Sequence, residues 1–431
     1  MTALAAARPS PSRLGTRWRA GVRHLGPNWY AAVMGTAMVA SAGAALPQLG
    51  WARPVFPVIW ALAAAALLVL LAARGTHWLY HRDRARAQLL DPAAAPFHGC
   101  MAMALLAVGG GALSVGTDVL GVRIAVALSA GLWAAGTLAG LAVAAGVPYL
   151  MITRHRIGDR DASAVWLLPV VAPMVSAAVG PALAPWLPAG QWRAALLLGC
   201  YAQFGMSLLA TMLLLPMVFA RLVRYGPPTG PLAPTLFLVL GPLGQSTTVA
   251  QNLADAAPRA VHGAYFAVAY GVPVLGFALL WLVLAGALVV RAARAGMPFA
   301  MTWWGFTFPV GTCVTGAAGL ARHTGAQPLG WLALGLYALL AGAWGVVAAG
   351  TARGLVRGTL LAPPSAPTAA TRPTAHALLS ASASPAVPPL VPRPAPAPSV
   401  AALGWADAPP AGVPSVSGRR PARGGERPAP R

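Results

Sequence analysis

The residues best suited to chemistry are uncharged polar side chains that recur at helical spacing inside an apolar run. Gly241, Gln245, Thr248 and Asn252 lie at positions i, i+4, i+7 and i+11, so one helix face carries a hydroxyl between two amides. These groups carry no fixed charge, and they offer hydrogen bonds that replace part of an anion's hydration shell. Weak binding of this kind suits passage better than tight capture, because conduction needs easy release. The face therefore favours the passage of a small anion.

A second stretch is the uncharged run at residues 296–321, which is long enough to cross a bilayer. A span that only has to sit in lipid is rich in Leu, Val and Ala, whereas this one carries a mid-span proline and several threonines. Because Pro309 removes a helical hydrogen bond, we expect the helix to kink there. The ring of Phe308 shares a face with Thr312 and Thr315 beside the kink. Two interpretations remain open: a helix that lines a path closed by an aromatic ring, and ordinary helix–helix packing.

The composition indicates the class of protein that positions these faces. Of the 431 residues, 58% are hydrophobic and only 9% are charged, whereas soluble domains are about a quarter charged. The net charge of +22 comes from arginines that lie between apolar runs and in the two tails. That distribution is a signal of membrane topology and not of nucleic-acid binding. The sequence predicts an integral membrane protein with no nucleic-acid partner.

Apolar runs divide the chain into a membrane domain and two tails. We expect a cytoplasmic N-terminal tail at residues 1–26, a transmembrane domain at 27–352 and a basic C-terminal tail at 353–431. The C-terminal tail is rich in Pro, Ala and Ser and cannot bury a core, so it is predicted to be disordered. The membrane domain contains ten predicted spans: 27–46, 54–73, 98–116, 122–152, 162–180, 192–219, 232–254, 261–290, 299–320 and 329–349.

Arginines alternate in number from one connection to the next and so predict the orientation. The N-terminal tail and the connections that follow even spans carry two to five arginines each, and the other connections carry one each. By the positive-inside rule both termini are cytoplasmic, as expected of a multi-pass protein of the cell membrane. The outer arginines form either a positive mouth that attracts anions or separate headgroup anchors: Arg53, Arg123, Arg193, Arg259 and Arg322.

Polar residues and glycines concentrate in the odd-numbered spans, whereas the even spans are mostly Ala, Leu and Val. The sixth span, with Gln203, Ser207 and Thr211, is an exception. Since lipid offers polar groups no partner, we predict an all-α membrane protein of five hairpins, with odd helices lining an inner path and even helices outside. The candidate lining residues are Gly35, Thr36, Ser114, Pro173, Ser176, Gly241, Gln245, Thr248, Asn252, Pro309, Thr312 and Thr315.

The sequence lacks the residues that several classes of function require. None of the eight acidic residues lies at mid-membrane, and the nearest, Asp118 and Asp255, fall at the outer ends of spans three and seven. The three cysteines and the histidines show no metal-ligand spacing, and no glycine-rich phosphate loop is followed by Lys. We therefore expect no metal or cofactor, no ATP-driven pump and no membrane enzyme.

Three segments carry a resemblance to a known family. They are PNWYAAVMGT at residues 27–36, GPLGQS at 241–246 and WWGFTFP at 303–309. Together they resemble the tellurite-resistance/dicarboxylate transporter family, whose relatives include malic acid transporters, sulfite efflux pumps and plant slow anion channels. The resemblance covers about residues 24–352. The Gly-, Ala- and Arg-rich composition and the long Pro-rich tail depart from the better-known members.

The resemblance implies a homotrimer in which each protomer has its own pore inside the five odd helices. It also implies a phenylalanine in the ninth helix that closes the pore. Phe308, beside the expected kink, fits this gate, and Phe306 is the competing choice. The implied substrates are small anions: malate, sulfite, chloride or nitrate.

Three functions compete on the sequence alone. The favoured one is a transporter or channel for small anions, with C4-dicarboxylates or sulfite as leading substrates. A proton-coupled dicarboxylate carrier is the alternative within transport, and the lack of an intramembrane carboxylate counts against it. A non-transporting membrane scaffold or sensor is the alternative from another class, and the polar odd helices count against it, because buried unused polar groups are costly.

Overall fold

The computed structural model describes residues 22–23, 25–257 and 263–360 of the chain. The described residues are helical and contain no β-strand, which confirms the all-helical prediction for this part of the chain. Most of both predicted tails, and Arg259 of the predicted outer mouth, lie outside the described residues.

Ten long α-helices make up the described part of the chain. A short helix, Arg82–Leu90, lies between the second and the third of them. The ten are α1 (Tyr30–Ala44), α2 (Val55–Tyr80), α3 (Gly99–Gly111), α4 (Val122–Thr153), α5 (Leu167–Val179), α6 (Gln191–Tyr225), α7 (Leu240–Ala256), α8 (Gly263–Arg294), α9 (Phe308–Thr324) and α10 (Gln327–Val356).

Eight helical segments in the described ranges are long and apolar enough to cross a membrane. They contain α2 to α8 and α10, counted with the short helical turns that continue α3, α5 and α7. α1, with 15 residues, and α9, with 17, are shorter than these eight segments. Several even helices extend past the predicted span ends, as α6 does to Tyr225 and α10 to Val356.

Burial alternates along the chain. In the most apolar stretch of the segments containing α3, α5 and α7, between 72% and 94% of the residues are buried. The corresponding share is only 17% to 28% for α2, α4, α6, α8 and α10. α1 and α9 follow the first group, since most of their residues are buried. The polar odd helices are therefore the protein's interior, and the even helices present apolar side chains on its surface.

The buried helices pack in a closed order. α1 contacts α3, α3 contacts α5, α5 contacts α7, α7 contacts α9, and α9 contacts α1. Each even helix packs against the odd helix that precedes it and, less extensively, against the one that follows. The described helices therefore form an inner ring of five, each backed by its own outer helix.

Each inner helix is preceded by a 3₁₀ segment at its N-terminal end. These segments are Pro27–Trp29, Ala95–His98, Ala164–Trp166, Gly230–Val239 and Met301–Phe306. A proline in or just after each segment explains the pattern, because the first turn of a helix leaves backbone N–H groups without helical partners, so a residue without an N–H is tolerated there. The positions of these prolines thus help to set where each inner helix begins.

The predicted kink at Pro309 is wrong. α9 begins at Phe308, and Pro309 lies in its first turn, where the missing N–H disturbs no helical hydrogen bond. The helix is interrupted at Thr307, two residues before Pro309, between the 3₁₀ segment and α9; its backbone has φ −95° and ψ −79°. Phe308 is therefore the first residue of a new helix and does not lie in the middle of a bent one.

Glycines bring α7 and α9 into close contact. A Cβ atom on Gly244 would lie 2.5 Å from the backbone nitrogen of Cys313 and the backbone carbon of Thr312. One on Gly316 would lie 3.2 Å from the Thr247 side chain. Side chains larger than hydrogen would separate the two helices, which carry most of the polar groups predicted from the sequence.

Candidate functional site

Three cavities lie inside the ring of α1, α3, α5, α7 and α9. The upper cavity, of about 180 Å³, takes one or more residues from each of the five, among them Ser41, Gly110, Val175, Gln245 and Phe308. It lies toward the C-terminal ends of these helices, since it also reaches Ser114, Asn252 and Thr315.

The other two cavities lie toward the N-terminal ends and are much smaller. The middle cavity, of about 20 Å³, is bounded by Met34, Met103, Val171, Gly241 and Pro309, again one from each inner helix. The lower cavity has a similar volume of about 20 Å³ and reaches the 3₁₀ segments through Phe97, Thr235 and Met301. The interior of the ring is therefore wide toward the C-terminal ends of the inner helices and narrow toward their N-terminal ends.

Phe308 lies where the cavities meet. Of the described residues, it is the one that lines all three cavities. Its side chain is 3% exposed, so the ring fills the space between the open and the nearly closed parts. Phe308 therefore separates the upper cavity from the two smaller ones.

Phe306, the competing candidate for the gate, occupies a different environment. It ends the 3₁₀ segment Met301–Phe306 and packs edge-on against Phe237, with ring centroids 4.8 Å apart. A second edge contact joins it to Trp303 at 5.9 Å. It lines none of the three cavities described above.

Uncharged polar groups line the upper cavity, and no ionisable side chain does so. The hydroxyls of Thr248 and Thr315 are 2.8 Å apart, which links α7 to α9. The Asn252 amide donates to the carbonyl of Ala178 at 2.8 Å. Gln245 is 4% exposed, and its Oε1 has no hydrogen-bond partner among the described residues. A buried amide oxygen without a partner costs free energy, and as an acceptor it suits a hydrogen-bond donor such as water.

Two predicted lining residues of α1 face other helices. The Thr36 hydroxyl donates to Ala32 O at 2.7 Å and accepts from Trp344 Nε1 of α10 at 3.1 Å. Gly35 lies against the Thr307 side chain and lets α9 start close to α1. Both positions therefore serve helix packing in the structure and lie outside the three cavities.

Three more predicted lining residues lie in helix interfaces. Ser176 shares a hydrogen bond of 2.6 Å with the Thr137 hydroxyl of α4. Pro173 lies against Gly140, also of α4. The Thr312 hydroxyl donates to Pro309 O at 2.7 Å and is fully buried against the backbone of α7. The other predicted lining residues each line at least one of the cavities: Ser114, Gly241, Gln245, Thr248, Asn252, Pro309 and Thr315.

Sequence reasoning missed the face that α1 presents to the cavities. Met34, Met38 and Ser41 line them, and these residues lie at i, i+4 and i+7. The same spacing found the lining face of α7. On α1 the search for polar residues favoured Thr36, although two of the three lining residues are methionines.

The predicted outer arginines have different partners. Arg53 pairs with Asp118 at 3.0 Å, and Arg322 pairs with Asp255 at 3.5 Å. Arg193 donates to the carbonyl of Leu187 at 3.0 Å, and Arg123 is exposed in the first turn of α4. Two of the four described arginines are thus neutralised by the carboxylates at the ends of α3 and α7.

A buried arginine at the other end of the bundle was also missed. Arg74 is 6% exposed, and its guanidinium lies 2.7 Å from Gln88 Oε1 and 2.7 Å from His98 Nε2. His77 Nδ1 lies 3.1 Å away. These contacts join α2, the short helix and the start of α3. No regular spacing in the sequence points to Arg74 as buried, because its partners lie 3, 14 and 24 residues away along the chain.

Comparison with known proteins agrees with this geometry. The model of the family described as voltage-dependent anion channel matches residues 24–352. The chain belongs to this family. The match confirms the resemblance seen in the three sequence segments, and it covers the whole ring together with its outer helices.

Curated relatives of this anion channel family span most of the same region. The chain is 24% identical over 330 residues to an uncharacterized transporter of Methanocaldococcus jannaschii, covering 75% of this chain and 92% of that protein. It is 27% identical over 314 residues to a sulfite efflux pump of Trichophyton rubrum, covering 69% and 82%. A sulfite efflux pump of Arthroderma benhamiae is 26% identical with the same coverage of 69% and 82%. The aligned region thus covers most of the length of each of these relatives.

Proposed function

We propose that this protein carries small anions across the cell membrane along the axis of its inner ring, and that Phe308 is the gate. The observation that carries the proposal is the position of Phe308, which lines the upper cavity and both small cavities below it. Membership of a family of anion channels and transporters supports the class of cargo. The protein acts as a transporter and not as an enzyme.

All ten helices cross the membrane in this proposal. The segment from Pro27 to the end of α1 has 18 residues, which span about 27 Å at the helical rise. The 3₁₀ segment Met301–Phe306 lengthens α9 in the same way. Both lengths approach the hydrocarbon thickness of about 30 Å, so α1 and α9 complete the ring as spanning elements.

Anion preference comes from dipoles and hydrogen bonds. The middle cavity is bounded by the first turns of α5, α7 and α9, at Leu167, Gly241 and Pro309. The N-terminal end of a helix carries a partial positive charge equivalent to about half an elementary charge. Three such ends beside the gate favour an anion over a cation, and the amides and hydroxyls of the upper cavity replace part of its hydration shell.

Sulfite and C4-dicarboxylates are the leading substrates. The relatives named as sulfite efflux pumps support sulfite. The resemblance to malic acid transporters supports malate, and the upper cavity of about 180 Å³ has room for an ion of either size.

Flux into liposomes tests the proposal. Purified protein in proteoliposomes should carry labelled sulfite, malate or chloride faster than protein-free liposomes, without ATP. Cation flux measured in parallel should stay at the protein-free level. Absence of flux for every one of the three anions, with the protein correctly inserted, would contradict the proposal. Dependence of malate flux on an imposed proton gradient would favour the proton-coupled carrier instead.

Topology and assembly follow from the same proposal. The arginine-rich connections, including Arg82–Leu90, lie on the cytoplasmic side together with both termini. Three protomers assemble, each with its own path. Protease protection of terminal tags and native mass spectrometry check the two statements, and an external tag or a monomeric species would contradict them.

A further inference from the structure

A further cavity lies outside the ring. Its volume is about 370 Å³, and it opens at the N-terminal ends of the inner helices. Four segments meet there: the connection before α3, the connection between α4 and α5, the end of α6, and the 3₁₀ segment before α7. Nothing in the transport path described above uses this cavity.

Two arginines lie in the wall of the cavity. Arg221 is anchored by Nη1, which donates to Gly226 O at 2.7 Å, and by Nε, which donates to Arg160 O at 3.2 Å. The guanidinium of Arg160 lies over the ring of Tyr225, 5.2 Å from its centroid. Neither arginine forms an ion pair with a carboxylate in the described ranges.

One carboxylate, Asp161, also lines the cavity. It accepts a hydrogen bond from the backbone nitrogen of Gly158 at 2.9 Å, which fixes it to its own turn. Two guanidinium groups against one carboxylate leave a net positive charge in the wall. Guanidinium groups bind carboxylates and other oxyanions through paired N–H groups, so an anion is the ligand that this wall would recognise.

The cavity adjoins the axial path. Phe97 and Thr235 line both this cavity and the lower cavity inside the ring. Phe97 and Thr235 thus form a wall that the two cavities share. A site for a lipid headgroup needs no such connection to the interior, whereas a site that supplies the path does.

We propose that this cavity is a loading site, where Arg160 and Arg221 hold a small oxyanion or carboxylate before it passes Phe97 and Thr235 into the ring. The inference rests on the proposed transport function and adds the side from which the anion is captured. It assigns Arg160 and Arg221 the task of concentrating the anion, while Phe308 controls its passage.

Planar bilayer recordings with sulfite or malate added to one side at a time test the site. The double variant Arg160→Gln/Arg221→Gln should raise the half-saturating anion concentration roughly tenfold, as expected for the loss of charge-assisted hydrogen bonds. The change should appear only when the anion is added on the side of the arginine-rich connections. The matched control is Arg154→Gln/Arg224→Gln, which removes the same charge from exposed arginines near the same two helix ends and should leave the value unchanged.

A second variant avoids the hydrogen bonds that anchor Arg221. Ala93 is exposed and lines the cavity, so Ala93→Glu adds a negative charge to its wall without removing a contact. It should raise the half-saturating concentration from the same side. Ala87→Glu is the control, because Ala87 is exposed on the helix Arg82–Leu90 and does not line the cavity.

The outcomes separate this inference from the function on which it rests. Wild-type protein without anion current overturns the transport proposal itself. Normal wild-type current with an unchanged half-saturating concentration in Arg160→Gln/Arg221→Gln and Ala93→Glu overturns the loading site alone. An equal change from both sides, or one that occurs only in membranes containing phosphatidylglycerol, also overturns it, the latter because the cavity then holds a lipid phosphate.

Discussion

At the scale of single residues, the gate hypothesis depends on two phenylalanines that stand two positions apart. Phe308 begins α9 and lines all three cavities, whereas Phe306 ends a 3₁₀ segment and packs against Phe237. Both residues are gate candidates from the sequence, which favours Phe308 because of the expected kink at Pro309. The structure instead distinguishes the two rings by the cavities that each lines. The helix break at Thr307, which no periodicity analysis detects, gives the two rings their separate environments.

Removing the Phe308 ring should open the path. We expect Phe308→Ala to raise anion flux severalfold, since the upper cavity would join the middle and lower ones through the space of the lost ring. Proteoliposome flux per unit of inserted protein is the measurement. Phe306→Ala is the control and should leave flux near the wild-type level. Higher flux in Phe306→Ala together with unchanged flux in Phe308→Ala would assign the gate to the other ring.

Gln245 should contribute to anion selection. Its side chain lines the upper cavity, where the Nε2 amide group can donate hydrogen bonds to an anion, so we expect Gln245→Leu to reduce flux or to change the ratio of sulfite to chloride flux. Gln203→Leu is a matched control, because Gln203 is also a buried glutamine with an Oε1 that lacks a partner, but it lies on the outer helix α6. Equal effects of the two substitutions would indicate a packing role for Gln245.

At the scale of helices, the spacing of polar residues predicted some faces well and others poorly. On α7, Gln245, Thr248 and Asn252 lie on the wall of one cavity. On α5, Ser176 turns to Thr137 of α4, because a buried hydroxyl is satisfied equally well by a neighbouring helix. A polar residue in a membrane helix shows which helix is buried, but its choice between the axis and a neighbour depends on partners distant in the chain.

The close contact between α7 and α9 should be sensitive to a single methyl group. In Gly244→Ala the new Cβ would meet the backbone of Thr312 and Cys313 at 2.5 Å, so the helices must separate. We expect a loss of about 1–3 kcal/mol in stability, as for other overpacked cores. Thermal unfolding in detergent is the measurement. Gly276→Ala, in α8 with no atom within 4 Å of its new Cβ, should not lower the midpoint; equal losses would show a general effect of removing glycine.

At the scale of the whole molecule, the number of helices and their alternation were predictable, since length, hydropathy and charge all act along the chain. Ten predicted spans correspond to ten long described helices, within a few residues at most boundaries. The cavity lined by Arg160 and Arg221 was not predictable in the same way. It forms where four separate connections meet, and nothing in any one of them indicates that meeting.

The field at the proposed outer mouth should depend on acids as well as arginines. Because Asp118 and Asp255 neutralise Arg53 and Arg322, we expect Asp118→Asn/Asp255→Asn to raise anion entry from outside. Replacing Arg53, Arg123, Arg193, Arg259 and Arg322 together by Gln should lower it.

Salt separates this effect from a change in structure. Both effects should shrink as ionic strength rises, since salt screens exposed charges within about 8 Å at physiological strength. Initial flux at low and at high salt is the measurement, with terminal tags to verify topology. Unchanged flux at low salt in both variants would show that these arginines act only as headgroup anchors.

The contact between α1 and α9 also determines when the inner ring can close during synthesis. About 260 residues separate the end of α1 from Phe308, and a ribosome needs roughly 15 to 50 seconds to add that many residues. In the proposed membrane arrangement, the hairpins inserted during this interval form an arc with one open side, and the polar face of α7 emerges shortly before its partner on α9. The last hairpin, α9 and α10, completes the ring, because α9 contacts both α7 and α1. In this arrangement, a nascent chain that stops before α9 leaves the inner faces of the other helices exposed to lipid.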